Sequence, residues 1–170
     1  GSKYIRAATA YGGPCFPRDN KALSELGNSL GVKMSIAEAT DVINNRQSRR
    51  LVNLIRRSLE PPAKVAILGL AYKPSTPVVE GSQGIQLANE LESKGFRVSV
   101  SDPMGLEAAK AALNSGVTCF SFAYEAIEGA AAVAIMTAWP EYTSISFDES
   151  VRVFDPWLIN ESVRSEQNWS

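Results

Sequence analysis

The stretch Lys64-Val65-Ala66-Ile67-Leu68-Gly69 decides the fold of this chain. Its short, continuous apolar run is typical of a strand that is buried on both faces, as strands are in the interior of a parallel sheet. Parallel neighbours are joined by crossover connections, usually helices, which cover the two faces of the sheet. The stretch therefore predicts the first strand of an α/β domain.

The residues beyond Gly69 continue in alternating helices and strands. After a loop that runs through Ser82, the pattern predicts a helix at 83–94 that Gly95 ends, a strand at 96–100, a helix at 106–113, a strand at 117–120, a short helix at 124–128, and strands at 131–136 and 151–154. Short connections between such elements are typical of a doubly wound parallel sheet. We predict a Rossmann-like α/β domain over residues 63–170.

The residues before Lys64 indicate helices from about 19 to 59. Gly27 and Gly31 separate a short first helix from a long second one, for which Ser35 and Glu38 form a capping-box pattern. Pro61-Pro62 ends the second helix, because proline cannot continue its hydrogen-bond ladder. Apolar residues recur at the three- and four-residue spacing of an amphipathic helix, at Ile36, Ala39, Val42, Ile43, Leu51, Leu54, Ile55 and Leu59.

We therefore divide the chain into a helical segment at residues 1–62 and the α/β domain at residues 63–170. The long helix of the first part is basic, with arginines at positions 46, 49, 50, 56 and 57. A solvated helix face explains these charges, and so does a contact with another subunit. The sequence leaves both interpretations open.

Composition is that of an ordinary globular protein, with 45% hydrophobic and 21% charged residues among 170 and a formal net charge of −1. The near-neutral charge gives no electrostatic footprint for nucleic acid or for an anionic membrane. No apolar run approaches the ~20 residues of a membrane-spanning helix, and no signal peptide opens the sequence. Two distant cysteines make no disulfide framework. We predict a cytoplasmic protein without nucleic-acid or membrane partners.

Residues 12–19, Gly-Gly-Pro-Cys-Phe-Pro-Arg-Asp, form the first candidate site. Glycines let a substrate approach the backbone, and the Cys15 thiol stands near a cation that favours thiolate and near an acid, Asp19, that can orient water. The chain has no histidine, so a base for Cys15 must be a lysine, an acid or a group outside this chain. A tight turn around a small buried cysteine explains the segment equally well.

The loop after the first strand, residues 69–76, forms the second candidate site. It lacks the G-x-G-x-x-G fingerprint of a dinucleotide site, so we interpret Asp102, at the end of the next strand, as a turn or capping residue rather than a ribose ligand. Tyr72 can pack beside a base or sugar, and Lys73 can meet a phosphate oxygen. The sequence predicts no metal site.

Three segments together resemble the UDP-glucose/GDP-mannose dehydrogenase family. Residues 11–19 are similar to the family's F-G-G-S-C-F-P-K-D, with Tyr11 for the aromatic, Pro14 for the serine and Arg18 for the lysine, and Ala22-Leu23 supplies the pair that follows. Residues 69–76 are similar to its G-L-[AT]-[FY]-K-P-N-T loop, and residues 131–140 to its A-D-A-V-V-I-x-T-E-W strand and turn. The three segments follow the family's order.

The resemblance implies the C-terminal part of a homodimeric, NAD-dependent nucleotide-sugar 6-dehydrogenase. In that interpretation the NAD-binding domain and a second catalytic lysine lie outside this sequence, which by itself turns over nothing. Cys15 forms a thiohemiacetal and then a thioester, and Asp19 acts on water. Gly12 and Gly13 border the sugar, while Tyr72 and Lys73 hold the nucleotide-sugar.

The resemblance favours UDP-glucose as substrate. GDP-mannose, a UDP-N-acetylhexosamine and a nucleotide-binding or dimerisation module without catalysis are the alternatives. Two departures bear on that choice. Glu80 stands where the family usually has an arginine, and Trp157 stands where an arginine often reaches the active site.

Overall fold

The computed structural model describes residues 8–163 and contains a five-stranded sheet. All four strand pairs are parallel, in the spatial order β3-β2-β1-β4-β5. The strands are β1 (Lys64–Leu68), β2 (Arg97–Ser101), β3 (Thr118–Cys119), β4 (Ala132–Ile135) and β5 (Arg152–Phe154). This order confirms the predicted doubly wound α/β fold, with the reversal of strand order between β1 and β4.

Five α-helices and one 3₁₀ turn accompany the sheet within residues 8–163. They are α1 (Phe16–Ser29), α2 (Ser35–Ser58), α3 (Gln83–Ser93), α4 (Leu106–Ala109), α5 (Ala123–Ile127) and the 3₁₀ turn Pro140–Tyr142. Ser82 caps α3, since its hydroxyl accepts a hydrogen bond from the amide of Ile85 at 3.2 Å. Gly95, at φ +86°, follows α3 as predicted. No helix among residues 8–163 is long and apolar enough to cross a membrane.

Two predicted helix details are wrong. The capping residue of α2 is Met34, whose carbonyl accepts the amide of Glu38 at 3.1 Å, so Ser35 already lies inside the helix and its side chain caps nothing. The helix predicted at 106–113 has only four α-helical residues. The amide of Val117 bonds to the carbonyl of Asn114, which shows that the chain turns there towards β3.

The sheet separates two apolar cores, because successive side chains of a strand point to opposite faces. Val65 and Ile67 of β1 enter the core that α2 and α3 cover, whereas Ala66 and Leu68 enter the core that α5 covers. Cys119 lies at the edge of the first core, half-buried. Trp139 belongs to the second core and is 6% exposed.

Helix α2 reaches the sheet only with its C-terminal turns. Leu51, Val52 and Ile55 pack into the first core beside the sheet. Ile36, predicted on the same apolar stripe, is 84% exposed. Only the C-terminal turns of α2 therefore belong to the α/β core. The apolar helical face that remains uncovered among residues 8–163 consists of Leu23, Leu26, Leu30, Val32, Ile36, Val42 and Ile43.

Candidate active site

The loop after β1 begins at the point where strand order reverses. Gly69 takes φ +105°, and a Cβ there would lie 2.5 Å from Cβ of Thr137, in the loop after β4. A Cβ on Gly84, in the first turn of α3, would collide with the carbonyl oxygen of Gly69. Both glycines are required because the backbone of three elements meets here. The space at this end of β1 and β4 is therefore occupied by the Thr137 side chain and by the backbone of Gly69.

This packing does not fit a dinucleotide. The first turn of α3, where a Rossmann domain holds a pyrophosphate, is capped by Ser82 and pressed against Gly69. Asp102 is 2% exposed and its carboxylate accepts bonds from five N–H donors of the protein. Two of these are the amides of Met104 and Gly105, which confirms Asp102 as a turn residue. Neither the first turn of α3 nor Asp102 is therefore open to a dinucleotide.

Tyr72 and Lys73 lie at the outer end of this loop. The amide of Tyr72 donates to the carbonyl of Val78 at 3.0 Å, which closes the loop on itself. Tyr72 is half-buried and Lys73 exposed, with its Nζ 5.5 Å from the centre of the Tyr72 ring. The two side chains therefore present an aromatic ring and an exposed ammonium group side by side.

The glycines of the cysteine segment pack against the same region. A Cβ on Gly13, which has φ +85°, would lie 2.5 Å from Cε2 of Tyr72, and the Gly13 amide donates to the carbonyl of Glu80 at 2.7 Å. A Cβ on Gly12 would collide with the carbonyl oxygen of Gly81. The structure therefore brings the two predicted sites together. Because Gly12 and Gly13 have no side chains, the Gly81 backbone and the Tyr72 ring can lie against them. Contacts of Gly12 and Gly13 with a sugar stay a prediction.

Cys15 stands at the N-cap of α1, and its thiol is exposed. The positive end of a helix dipole favours an anion at this place. In the first turn, Arg18 Nε lies 3.1 Å from Oδ1 of Asp19, with both side chains about two-thirds exposed. That hydrogen bond, together with the charges of Asp19, Cys15 and Glu80, raises the pKa of Arg18. Thiol, guanidinium and carboxylate therefore share one accessible corner.

Helix α2 holds the cysteine segment from its other side. The side-chain amide of Asn44 accepts from the backbone N–H of Tyr11 at 2.8 Å and donates to its carbonyl at 3.0 Å. The Tyr11 hydroxyl donates to Asp41 at 2.5 Å, and its ring meets Phe16 edge-on at 4.7 Å. Burial and the bond to Asp41 raise the pKa of Tyr11 to about 12. The segment is thus clamped between α2 and the loop at 80–81.

A cavity of about 280 Å³ lies beside residues 8–10, between α2, α3 and the loop after β5. It is mostly apolar, with Ser48, Gln83 and Arg50 among its lining residues, and none of the six predicted site residues contributes to it. The cluster around Cys15 and Tyr72 is therefore separate from this cavity. Among residues 8–163 no group of three acidic, cysteine or histidine side chains could hold a metal ion.

The two departures from the family pattern lie in different surroundings. Glu80 is exposed and uses its backbone carbonyl to hold Gly13. Trp157 is half-buried, and its Nε1 is buried without a hydrogen-bond partner among residues 8–163. The loop around Trp157 is fixed by Asp155, whose carboxylate accepts the amides of Trp157, Ile159 and Asn160.

Comparison with known families decides the relationship. The model of the UDP binding domain of the UDP-glucose/GDP-mannose dehydrogenase family matches residues 66–159, more than half of the chain. The model of the central domain of that family matches residues 1–46. The chain belongs to the UDP-glucose/GDP-mannose dehydrogenase family. Within it, Cys15 falls in the central-domain match and Lys73 in the UDP-binding match.

Relatives of the family extend well beyond this chain. A UDP-glucose 6-dehydrogenase of Rhizobium meliloti is 33% identical over 87% of the chain and 34% of its own length. UDP-glucose 6-dehydrogenase TuaD of Bacillus subtilis is 31% identical over 83% of the chain and 31% of its own length. The solved UDP-glucose dehydrogenase of Pyrobaculum islandicum superposes with a TM-score of 0.88 at 36% identity, covering 96% of this chain and 38% of that one. The chain spans about a third of these relatives.

The sequence did not predict the contacts that hold the cysteine segment, residues 11–19, in place. Pro17, at the start of α1, was a readable signal that a helix begins directly after Cys15. The contacts of Asn44 with Tyr11, and of Gly81 with Gly12, join residues far apart in the chain. No local pattern announces such contacts.

Proposed function

We propose that this chain is the nucleotide-sugar-binding C-terminal part of a UDP-glucose 6-dehydrogenase, which converts UDP-glucose to UDP-glucuronate with NAD. One observation carries the proposal. Gly13, two residues before the thiol, lies directly against the ring of Tyr72, whose neighbour is the exposed Lys73. A nucleotide-sugar held by the ring and the ammonium thus has a nucleophile at hand.

In this proposal a first molecule of NAD would supply the oxidation of the C6 alcohol, and Cys15 captures the C6 aldehyde that results. The thiolate sulfur adds to the carbonyl carbon and the oxygen takes a proton, which gives a thiohemiacetal. A second molecule of NAD would supply the oxidation of the thiohemiacetal to the thioester. Asp19 then orients a water molecule that attacks the thioester, releasing the thiolate and the carboxylate product. Because the first turn of α3 and Asp102 are both occupied by contacts within the protein, we expect no NADH from this chain alone with UDP-glucose.

Calorimetric titration of UDP, GDP and UDP-glucose into the chain tests the binding role. We expect UDP and UDP-glucose to bind more tightly than GDP, and Lys73→Ala to weaken both, because a cation beside Tyr72 meets the phosphates. Lys94→Ala, an exposed lysine after α3, is the control. Preference for GDP would point to a GDP-sugar, and binding that survives Lys73→Ala would contradict the site.

Alkylation distinguishes an enzyme from a non-catalytic module. Burial raises the pKa of the Cys119 thiol, whereas Cys15 is exposed at a helix N-terminus. Iodoacetamide should label Cys15 first, and UDP-glucose should slow that labelling and leave Cys119 unaffected. Peptide mass spectrometry reads both sites. A thiol that UDP-glucose does not protect would speak against a catalytic role for Cys15.

We also propose that the whole protein is a homodimer formed through the apolar helical face of α1 and α2. Ile36 at 84% and Leu30 at 67% exposure are unusual for aliphatic side chains. Large apolar side chains that are exposed together mark protein interfaces when they form one patch. A second copy that presents the same face would bury it symmetrically.

A further inference from the structure

We propose that Asp102 and Thr137 are positioning residues for the nucleotide-sugar: they fix the loop that carries Tyr72 and Lys73. The inference rests on the proposed function, since it concerns how that loop is kept ready for a ligand. Neither side chain reaches the surface, with exposures of 2% and 1%. Both therefore act through the backbone they hold.

Asp102 holds the loop from the side of β2. Its Oδ2 accepts the amides of Leu70 and Ala71 at 2.6 and 2.9 Å and Nε1 of Trp139 at 3.1 Å. Its Oδ1 accepts the amides of the 104–105 turn. Five donors occupy both oxygens, so one carboxylate joins the loops that follow β1, β2 and β4.

Thr137 holds the same loop from the side of β4. Its hydroxyl donates to the carbonyl of Ala71 at 2.6 Å, and its Cβ lies where a side chain on Gly69 would have to go. Ala71 is thus bonded on both sides, through its amide to Asp102 and through its carbonyl to Thr137. The backbone of Ala71, the residue directly before Tyr72, is therefore fixed at both its amide and its carbonyl.

The crowding around the loop supports this assignment. A Cβ on Gly105 would lie 3.1 Å from the amide nitrogen of Ala71, so the turn after β2 abuts the loop without a gap. Hydrogen bonds to a charged acceptor are stronger than neutral ones and are stronger still away from water. A rigid loop binds a ligand without the cost of ordering it.

Asp102→Asn and Thr137→Val test the proposal by calorimetry with UDP-glucose. The amide of Asn has one acceptor oxygen and an NH₂ group that faces N–H donors, and Val removes the hydroxyl. We expect each variant to weaken UDP-glucose binding by roughly three- to tenfold, the effect of one lost buried hydrogen bond. Thr137→Ser keeps the hydroxyl and should bind within about twofold of the unsubstituted chain, since a twofold change is smaller than one such bond.

Asn89→Ala is the structural control. Asn89 bonds to the carbonyl of Ala112 and the amide of Asn114, both at 2.8 Å, just before the edge strand β3. Its loss should lower the melting temperature and leave UDP-glucose affinity unchanged. Equal weakening by Asn89→Ala, or full affinity in Thr137→Val, would overturn the positioning role.

Hydrogen exchange measured without ligand separates this proposal from the proposed function. Asp102→Ala removes both acceptor oxygens, so the amides of Leu70 and Ala71 lose their acceptor and the peptide that contains residues 69–73 should exchange at least several-fold faster. The peptide around Asn89 should keep its rate. Failure of the unsubstituted chain to bind UDP-glucose would contradict the proposed function, whereas unchanged exchange at 69–73 would overturn the positioning role whether or not the ligand binds.

Discussion

Single residues at the site act through the space they leave free. Gly13 is the clearest case, because its φ of +85° and the nearby Tyr72 ring both exclude a side chain. Gly31 has a similar φ of +67° and no atom within 4 Å of an added Cβ. A comparison of substitutions at Gly13 and Gly31 therefore distinguishes the cost of a positive φ from the cost of a steric collision.

Gly13→Ala should destabilise the protein more than Gly31→Ala does. Both variants meet the cost of a left-handed backbone, about 1–2 kcal/mol, but only the first must also displace Tyr72. Thermal unfolding of both variants measures the difference. Equal melting temperatures would show that the Tyr72 ring moves aside freely and that the contact does not fix the site.

Tyr11 makes stability depend on pH in the alkaline range. Its pKa is raised from about 10 in the unfolded chain to about 12 in the folded protein, so the folded state prefers the protonated phenol. The stabilisation is complete below pH 10 and is lost as the pH rises from 10 through 12. A Tyr11→Phe variant should lack this loss.

The free energy of unfolding, measured by urea between pH 8 and 11, checks the sign for Tyr11. The difference between the unsubstituted chain and Tyr11→Phe should shrink as the pH rises. Tyr124→Phe, on the surface of α5, is the control, and its free energy of unfolding should change with pH as that of the unsubstituted chain does. A difference for Tyr11→Phe that stays constant would show that Asp41 does not bind the phenol in solution.

Among elements, α2 combines two environments in one helix. Ile55 is fully buried against the sheet, and Ile36, of the same residue type, is 84% exposed. Ile55→Ala should cost about 2–5 kcal/mol because it leaves a cavity in the core. Ile36→Ala should change stability by less than about 0.5 kcal/mol. Chemical denaturation measures both, and a similar loss in the two variants would mean that the first half of α2 is also covered in solution.

The strands were readable from the sequence, whereas the partners of α2 were not. The run at 65–68 is apolar at every position, and that pattern is typical of a strand that is covered on both faces. The stripe of α2 looks the same over Ile36 and Ile55, because periodicity shows which residues share a face and is silent on what that face meets. The predicted boundary between residues 62 and 63 stays a prediction.

The candidate site was predictable in its parts and unpredictable in its assembly. Cys15 and Lys73 stand in recognisable local patterns, since a thiol among glycines and a lysine beside an aromatic ring are chemical signals in themselves. The supports of these residues are long-range contacts such as that of Asn44 with Tyr11. Asp102 was correctly assigned to a turn, yet its bonds to the loop after β1 depend on strand order, which no short pattern contains.

For the whole molecule, the uncovered apolar helical face predicts self-association. Val42→Glu and Ile36→Glu place charges in the middle of that face and should shift the chain towards monomer in analytical ultracentrifugation. Asn53→Glu adds the same charge to an exposed polar position of α2 and should leave the sedimentation profile unchanged. A chain that is monomeric at every concentration, before any substitution, would show that these two helices do not suffice for a dimer.

The contact between Gly13 and Glu80 also has a consequence for the order in which the protein is made. Residue 13 leaves the ribosome before α1, α2 and β1, and its partner Glu80 follows all three. A contact that closes so long a stretch of chain carries a large entropic cost and forms late in folding. The Cys15 thiol therefore leaves the ribosome before its segment is anchored, and it reaches its place beside the Tyr72 loop only after translation has passed residues 80–81.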